Sequence, residues 1–229
     1  MKISAVNEES ILIRFSDDIS EETHLRIKSM YKQILNLEGV LSAVPSYNSI
    51  MIYYDILKTD YETLKGKLSD FESVPLKSEK KVVVKIPVCY ELGIDLDRVS
   101  EHTGLSIEQV IEIHASRDYL IYMIGFTPGF PYLGGMDERL TTPRLEVPRT
   151  KIEAGSVGIG GEQTGIYPLA TPGGWNIIGK TPIKLYDQTH SKTLLKMGQY
   201  VRFVPVSQEL YRQIEKKIEM DTYEIEVVS

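Results

Sequence analysis

Three segments decide the fold of this chain: Gly125-Phe-Thr-Pro-Gly-Phe-Pro-Tyr-Leu-Gly-Gly135, Ala154-Gly-Ser-Val-Gly-Ile-Gly-Gly-Glu-Gln-Thr-Gly-Ile-Tyr-Pro168 and Thr171-Pro-Gly-Gly-Trp-Asn-Ile-Ile-Gly-Lys-Thr-Pro182. Residues 125–182 hold 12 of the chain's 17 glycines and 7 of its 11 prolines. Glycine permits positive φ and close backbone approach, whereas proline fixes φ. Aromatic and β-branched residues are interleaved with them, which predicts ordered loops between short buried strands. We expect the functional site here, because sites are carried by loops on a rigid scaffold.

Residues 1–75 predict a small α/β domain, an antiparallel sheet with helices on one face. Four apolar runs predict two hairpins, Ile3–Val6 with Ile11–Phe15 and Val40–Val44 with Ile50–Tyr54. One predicted helix is capped by Ser20, carries apolar residues from Ile27 to Leu37 at helical spacing and ends at Gly39. The other runs roughly from Tyr61 to Phe71.

Residues 76–81 are predicted to be a linker and residues 82–229 a second domain, so the fold class is α+β. A capping box of Ser106 and Gln109 opens one of its helices. The predicted helices are Asp95–Gly104, Ser106–Ser116 and Ser207–Met220, and the predicted outer strands are Lys81–Val88, Asp118–Phe126 and Thr222–Val228. Between residues 127 and 206, short apolar runs separated by turn residues predict a β-barrel or sandwich.

The composition argues against several classes of partner. The 229 residues carry a net charge of -6, which disfavours nucleic acid and anionic membranes. The longest apolar run, Leu120–Ile124, is far shorter than a membrane span, and the first residues lack the apolar core of a signal peptide. The lone Cys89 suits a reducing cytosol, and the histidines form no cluster at metal-ligand spacing. We therefore expect a cytoplasmic protein with no metal, nucleic-acid or membrane partner.

The run Gly174–Thr181 matches the phosphate-loop pattern GxxxxGK[ST]. Such a loop works because it follows a strand and opens a helix. Here Pro182 follows at once, and Ile183 and Leu185 continue with strand-like alternation. We interpret the match as accidental, although Lys180 remains a candidate for contact with an anion.

One histidine has two interpretations. His114 shares a predicted helix face with Ile107, Val110 and Ile111. It is either a core histidine satisfied at a helix C-terminus or a general acid/base directed towards the glycine-rich segments.

Two arginines follow prolines, in Pro143-Arg144 and Pro148-Arg149. Arginine suits bidentate recognition of a carboxylate or phosphate, and the alternative is a surface arginine that pairs with an acid such as Glu146. Aromatic residues and uncharged donors nearby predict an apolar pocket for a small polar or anionic organic molecule. The expected substrate-binding residues are Phe126, Phe130, Gln163, Thr164, Tyr167, Thr171, Trp175, Asn176 and Thr181.

These residues closely resemble the PxpB family, the B subunits of 5-oxoprolinase, also called KipI and allophanate hydrolase subunit 1. The matching pieces are the three segments quoted above, His114 and the two Pro-Arg pairs. The resemblance covers essentially the whole chain. Three positions depart from the family pattern: Glu153 replaces a proline, Thr171 a serine and Lys180 an arginine.

The resemblance implies an N-terminal α/β domain followed by a cyclophilin-like β-barrel. It also implies an enzyme component that cleaves 5-oxo-L-proline to L-glutamate with ATP hydrolysis. Its implied partners are a PxpA-like protein and a PxpC-like protein, the latter also called KipA, and without them the chain is expected to be inactive. On this interpretation, we expect Arg144, Arg149 and Lys180 to hold carboxylate or phosphate, and His114 to shuttle protons.

The same resemblance leaves a second function open. Some members of the family are described as inhibitors of a sporulation sensor histidine kinase, which is protein binding without chemistry. A third hypothesis, peptidyl-prolyl isomerase, rests on the cyclophilin-like fold alone, and fold alone does not carry function. We prefer the enzyme component, because pocket-like polar and glycine positions dominate the motif rather than an exposed apolar stripe.

Overall fold

The structure is a computed structural model that describes residues 1–17, 20–71 and 80–229. The chain divides into two units, Met1–Glu79 and Lys80–Ser229. The predicted linker, residues 76–81, falls largely outside the described residues, so its bounds stay a prediction.

The first unit is a four-stranded antiparallel sheet with two helices. Its strands are β1 Lys2–Asn7, β2 Ser10–Arg14, β3 Val40–Pro45 and β4 Ser49–Tyr54, in the order β1-β2-β4-β3. Its helices are α1 Glu21–Ile34 and α2 Tyr61–Asp70. Alternate strand residues such as Ile11, Ile13 and Ile52 pack with Ile27 of α1 and Leu64 of α2 in one buried cluster. Both helices therefore cover the same face of the sheet, as the sequence predicts.

Helix α1 begins where the sequence predicts and ends earlier. The Ser20 hydroxyl accepts a hydrogen bond from the Thr23 amide, which is the predicted N-cap. The helix ends at Ile34, and Gly39, with φ of 85°, lies in the turn before β3. The prediction that Gly39 ends the helix is wrong, because Leu37 packs against the core from the turn and so continues the apolar pattern beyond the helix.

The second unit is built around an eight-stranded sheet. Its strands are β5 Val83–Val88, β6 Asp118–Ile124, β7 Pro131–Gly134, β9 Ser156–Gly160, β10 Gln163–Ile166, β12 Asn176–Lys180, β15 Tyr200–Pro205 and β16 Val227–Val228. Their order is β12-β9-β10-β7-β6-β15-β5-β16, with β5 and β15 parallel and the other pairs antiparallel. Two small sheets pair β8 Arg149–Ile152 with β11 Thr171–Gly173, and β13 Tyr186–Asp187 with β14 Lys192–Thr193.

Helices occur in this unit where the sequence predicts them. They are α3 Leu96–Thr103, α4 Ile107–Ala115 and α5 Gln208–Glu219, and short 3-10 helices cover Tyr90–Leu92 and Glu138–Leu140. Ser106 and Gln109 form the predicted capping box of α4, and the Ser207 hydroxyl caps α5. The predicted final strand Thr222–Val228 is reduced to the two residues of β16, which pair with Val83 and Val84.

The eight-stranded sheet is open in its strand order, with β12 and β16 at its edges. Within the described residues no sheet closes on itself, so the predicted barrel is not confirmed. A bridge of two hydrogen bonds nevertheless joins Cys89, directly after β5, to Lys180 at the end of β12. The mixed α/β architecture is therefore established, while barrel closure is not.

Candidate functional site

A cavity of about 130 Å³, here called the aromatic cavity, lies among the glycine-rich segments. It is lined by Phe126, Phe130, Tyr132, Arg144, Gly173, Gly174, Tyr167 and Trp175. The structure thus brings together residues that are far apart in sequence and that the sequence predicts for the site.

Three buried aromatic rings form the wall of the aromatic cavity. Phe130 stands edge-to-face with both Tyr167 and Trp175 at 5.6 Å between ring centroids, and Tyr167 and Trp175 meet edge-to-face at 6.2 Å. This arrangement is favourable because the positive edge of one ring meets the negative face of the next. Burial raises the pKa of the Tyr167 hydroxyl, so that side chain is neutral near pH 7. The wall is therefore apolar and carries no charge of its own.

Two glycines of the motif make room for Trp175. A Cβ atom on Gly160 would lie 2.5 Å from the indole ring. A Cβ atom on Gly165 would lie 3.0 Å from Trp175 and 3.1 Å from Phe130. Gly160 and Gly165 are thus needed to seat the wall on the sheet.

Phe126 stands at the edge of the aromatic cavity in an unusual backbone conformation. Its φ is 61°, in the left-handed region that side-chain-bearing residues rarely adopt, and the residue is 67% exposed. The ring stands edge-to-face with Phe130 at 5.6 Å. An exposed aromatic held in a strained conformation is a feature typical of ligand-binding segments.

Arg144 supplies the charge of the aromatic cavity. Its guanidinium carbon lies 5.8 Å from the centre of the Trp175 ring, within reach of a cation–π interaction. Arg144 is exposed and, among the described residues, it makes no ion pair with an acid. Its charge is therefore available to an anionic ligand.

Arg149 differs from Arg144, because it is already paired. Its Nη2 donates to Asp95 Oδ1 at 2.6 Å, and its Nη1 reaches the Trp175 carbonyl at 3.4 Å. Sequence reasoning missed Asp95, because an aspartate just before a helix is expected to cap it. In the structure the Asp95 side chain makes no capping bond to α3.

Asn176 is buried, and its side-chain amide links the chain segments around the site. Its Nδ2 donates to the carbonyls of Pro143 at 3.0 Å and Ile159 at 3.1 Å. Its Oδ1 accepts from Arg98 Nε at 3.0 Å, a partner that the sequence analysis did not identify. Since Asn176 is fully buried, these contacts occupy the amide within the protein.

His114 and Thr164 lie together in the core, and neither lines the aromatic cavity. Thr164 Oγ1 donates to the Gly158 carbonyl, so it must accept from His114 Nε2, at 2.8 Å. His114 Nδ1 is then the acceptor for the Tyr90 hydroxyl at 2.7 Å. Both ring nitrogens are satisfied in the neutral form, and burial lowers the pKa of His114 to about 3. This geometry favours the structural interpretation of His114.

Lys180 and Thr181 lie at a second, wider cavity of about 790 Å³ next to α5. Lys180 is the last residue of β12, and its chain runs on without opening a helix, which agrees with the accidental match to a phosphate loop. Thr181 is buried, and its hydroxyl accepts from the Ile183 amide at 3.2 Å. Gln163 and Thr171 are half-buried on β10 and β11 and are not among the side chains around the aromatic cavity.

Neither a metal cluster nor a membrane segment emerges from the described residues. Their His, Cys, Asp and Glu side chains form no group of three or more that could hold a metal ion. None of the helices in the described part of the chain combines the length and apolar character that crossing a bilayer requires.

The comparisons with known proteins agree with this motif. The family model for the carboxyltransferase domain, subdomain C and D, matches residues 1–196, and the chain belongs to this family. Its relatives include the 5-oxoprolinase B subunit of Bacillus subtilis (strain 168), 39% identical over 227 residues, which cover 92% of this chain and 95% of that protein. The 5-oxoprolinase B subunit of Escherichia coli O157:H7 is 39% identical over 208 residues, covering 87% of this chain and 94% of that protein. The resemblance predicted from the motifs is thereby confirmed.

A solved structure shares the fold. The crystal structure of TTHA0988 matches with a TM-score of 0.79 and 36% identity over 88% of this chain. This chain spans only 40% of the TTHA0988 chain, so that protein carries further sequence beyond the matched part.

Proposed function

We propose that this chain is the B component of a cytoplasmic, ATP-dependent 5-oxoprolinase complex that cleaves 5-oxo-L-proline to L-glutamate. The observation that carries the proposal is Arg144, which makes no ion pair within the described residues, beside a small aromatic cavity in a chain that matches 5-oxoprolinase B subunits over most of their length. Such a cavity, mostly apolar with one charged group, is typical of a site for a small organic anion.

On this proposal, the aromatic cavity of about 130 Å³ takes a lactam ring that bears one carboxylate. The guanidinium of Arg144 offers two parallel N–H donors to the carboxylate. The ring then packs on the faces and edges of Phe130, Tyr167 and Trp175, with the exposed Phe126 also lining the cavity. This chain accordingly contributes binding and orientation of the substrate, which lowers the entropic part of the barrier.

The reaction requires activation of an unreactive amide. Transfer of a phosphoryl group from ATP to the lactam oxygen makes the ring carbon susceptible to water. One water adds to the ring carbon, the C–N bond breaks with the ring nitrogen leaving as the protonated amine, and an acyl phosphate remains. A second water hydrolyses this acyl phosphate to the new carboxylate of glutamate and inorganic phosphate. Arg144 holds the substrate carboxylate throughout. We leave His114 out of the proton transfers because both of its nitrogens are engaged in the core.

The partners in this proposal are the PxpA-like and PxpC-like proteins, without which the chain is inactive. In TTHA0988 the part equivalent to this chain makes up only 40% of a longer polypeptide. This supports the proposal that a separate protein supplies the remaining part here. We further propose that the second unit, with domain bounds 82–229, is a partly closed barrel of the cyclophilin type. The two hydrogen bonds between Cys89 and Lys180 support closure between β5 and β12.

The test is ADP release that depends on 5-oxoproline, measured with this chain co-purified with its PxpC homologue, with and without the PxpA homologue. The proposal predicts turnover that disappears when this chain is omitted. A well-folded complex with no oxoproline-dependent turnover would contradict it. An autophosphorylation assay with a sensor histidine kinase would then examine the inhibitor alternative, which no particular contact in the described residues favours.

A further inference from the structure

The Asp95 carboxylate is hydrogen-bonded to the segment that carries Trp175. The residue is 7% exposed, and it sits at the N-cap position of α3 without capping the helix. Its Oδ2 accepts from the Ile177 amide at 2.6 Å, and its Oδ1 accepts from Arg149 Nη2 at 2.6 Å. The Asp95 amide also donates to the Ile177 carbonyl at 2.9 Å. Both oxygens of a nearly buried carboxylate are thus committed to the start of β12 and to one arginine.

Arg149 completes the same arrangement from the other side. While Nη2 is held by Asp95, Nη1 points to the Trp175 carbonyl at 3.4 Å. The Arg98 side chain adds a contact to Asn176 between them, at 3.0 Å. Three consecutive residues are therefore each held by one charged side chain. Arg149 of β8 holds Trp175, Arg98 of α3 holds Asn176, and Asp95 at the N-cap of α3 holds Ile177.

Arg149 and Arg144 differ in whether an acidic side chain among the described residues balances their charge. A buried ion pair gives little net stability, because removing both charges from water costs about as much as their attraction returns. Its better-supported use is to fix one geometry. The positive charge of Arg149 is already matched by Asp95, whereas Arg144 has no acidic partner in the described residues.

We propose that the Asp95–Arg149 ion pair positions Trp175, so that Arg149 sets the wall of the aromatic cavity and does not itself bind the ligand anion. The assignment of a ligand rests on the proposed function, but the positioning of Trp175 does not. Asp95 and Arg149 are thus positioning residues, and Arg144 is the residue that contacts the substrate.

The first experiment needs no ligand, because Trp175 is the only tryptophan of the chain. Acrylamide quenching of its fluorescence is compared among the native full chain, Asp95→Asn, Arg149→Met and the control Arg212→Met, an exposed arginine on α5. We expect the quenching constant to rise roughly twofold in Asp95→Asn and Arg149→Met, because the loosened segment opens locally, and to stay native in the control. Arg149→Lys keeps the positive charge but lacks the forked guanidinium, so its quenching constant should be intermediate. It replaces Asp95→Asn or Arg149→Met in the comparison if either of those variants fails to fold. Native quenching in folded Asp95 and Arg149 variants would overturn the proposal.

The second experiment separates positioning from anion binding in the assembled complex. The KM for 5-oxoproline is compared with the inhibition constant of 2-pyrrolidinone, the same lactam without the carboxylate. Arg149→Met should weaken both by the same factor, and Arg144→Met should weaken only 5-oxoproline. If Arg149→Met weakens the binding of 5-oxoproline but not that of 2-pyrrolidinone, the assignment of Arg149 as a positioning residue is overturned. If the native complex shows no oxoproline turnover, the proposed function fails while the quenching result still decides whether the pair positions Trp175.

Discussion

Arg144 lies over the indole of Trp175, with 5.8 Å between the guanidinium carbon and the ring centre. The neighbours of the two residues are hydrogen-bonded to each other: Asn176 Nδ2 donates to the Pro143 carbonyl, and the Leu145 amide donates to the Gly174 carbonyl at 2.7 Å. The chain is thus fixed on both sides of each partner. A cation held over an aromatic wall by its own backbone is preorganised for a ligand that has one anionic and one apolar part.

Substituting Gly160 by alanine should displace Trp175 and close the aromatic cavity. The added Cβ atom would meet the indole at 2.5 Å, closer than real contacts allow, and the ring is wedged against Phe130. We expect Gly160→Ala to lower kcat/KM for 5-oxoproline by about tenfold or more and to change the emission of Trp175.

Gly125→Ala is the matched control for that substitution. A Cβ atom there would meet only Tyr132, at 3.8 Å, which is an ordinary contact. Its kinetic constants and Trp175 emission should stay close to native. Equal effects of the two alanines would contradict the account of the glycine motif.

Phe126→Gly should weaken binding without destabilising the fold. Left-handed backbone costs a side-chain-bearing residue about 1–2 kcal/mol, and glycine loses about 0.5–1 kcal/mol in additional chain entropy, so the relief of strain is at least as large as the entropy loss. The ring is largely exposed, so little burial is lost. We expect the KM for 5-oxoproline to rise several-fold while the urea midpoint stays near native. A large loss of stability with a native KM would show that Phe126 serves the fold instead.

The neutral, buried His114 should make the second unit sensitive to acid. Its pKa is about 3 in the folded chain, below the ordinary value of 6.5 expected when unfolded. Between these values the unfolded state binds a proton that the folded state does not, so stability falls as the pH falls, by up to about 1.4 kcal/mol per pH unit. The contribution is fully present above pH 6.5 and stops changing below pH 3.

Urea unfolding followed by Trp175 fluorescence, at pH 7 and pH 5, checks this expectation, because Trp175 belongs to the same unit as His114. His114→Gln should be less stable than the native chain at pH 7, since it disturbs the bonds to Tyr90 and Thr164, and it should lose less stability on going to pH 5. An unchanged pH dependence in the variant would contradict the assignment of a neutral core histidine.

Local chemistry made much of the fold predictable. Ser20, Ser106 and Ser207 each cap a helix, because a hydroxyl before an apolar periodic run satisfies the first free amides. Helix ends and the final strand were less predictable. Leu37 continues the apolar periodicity beyond the end of α1. Residues 222–226 alternate between polar and apolar side chains, as a strand would, yet they are not part of β16.

The site was predictable where sequence signals have a single explanation. A glycine-rich motif interleaved with Phe130, Tyr167 and Trp175 points to a wall that needs close backbone approach, and the structure brings these rings together. His114 has a helix-face position that suits a core residue as well as a catalytic one, and only its contacts separate the two. Asp95 looks like a helix cap in sequence, and its partner Arg149 lies far along the chain.

The most direct test of the central claim is the turnover of 5-oxoproline by the assembled complex carrying Arg144→Ala, with Arg212→Ala as the control. Loss of a charged hydrogen-bond donor to a carboxylate should lower kcat/KM by about tenfold or more, while the control stays native. Native turnover in Arg144→Ala, with the complex intact, would remove Arg144 from the site and contradict the assignment of the aromatic cavity as the place where the substrate binds.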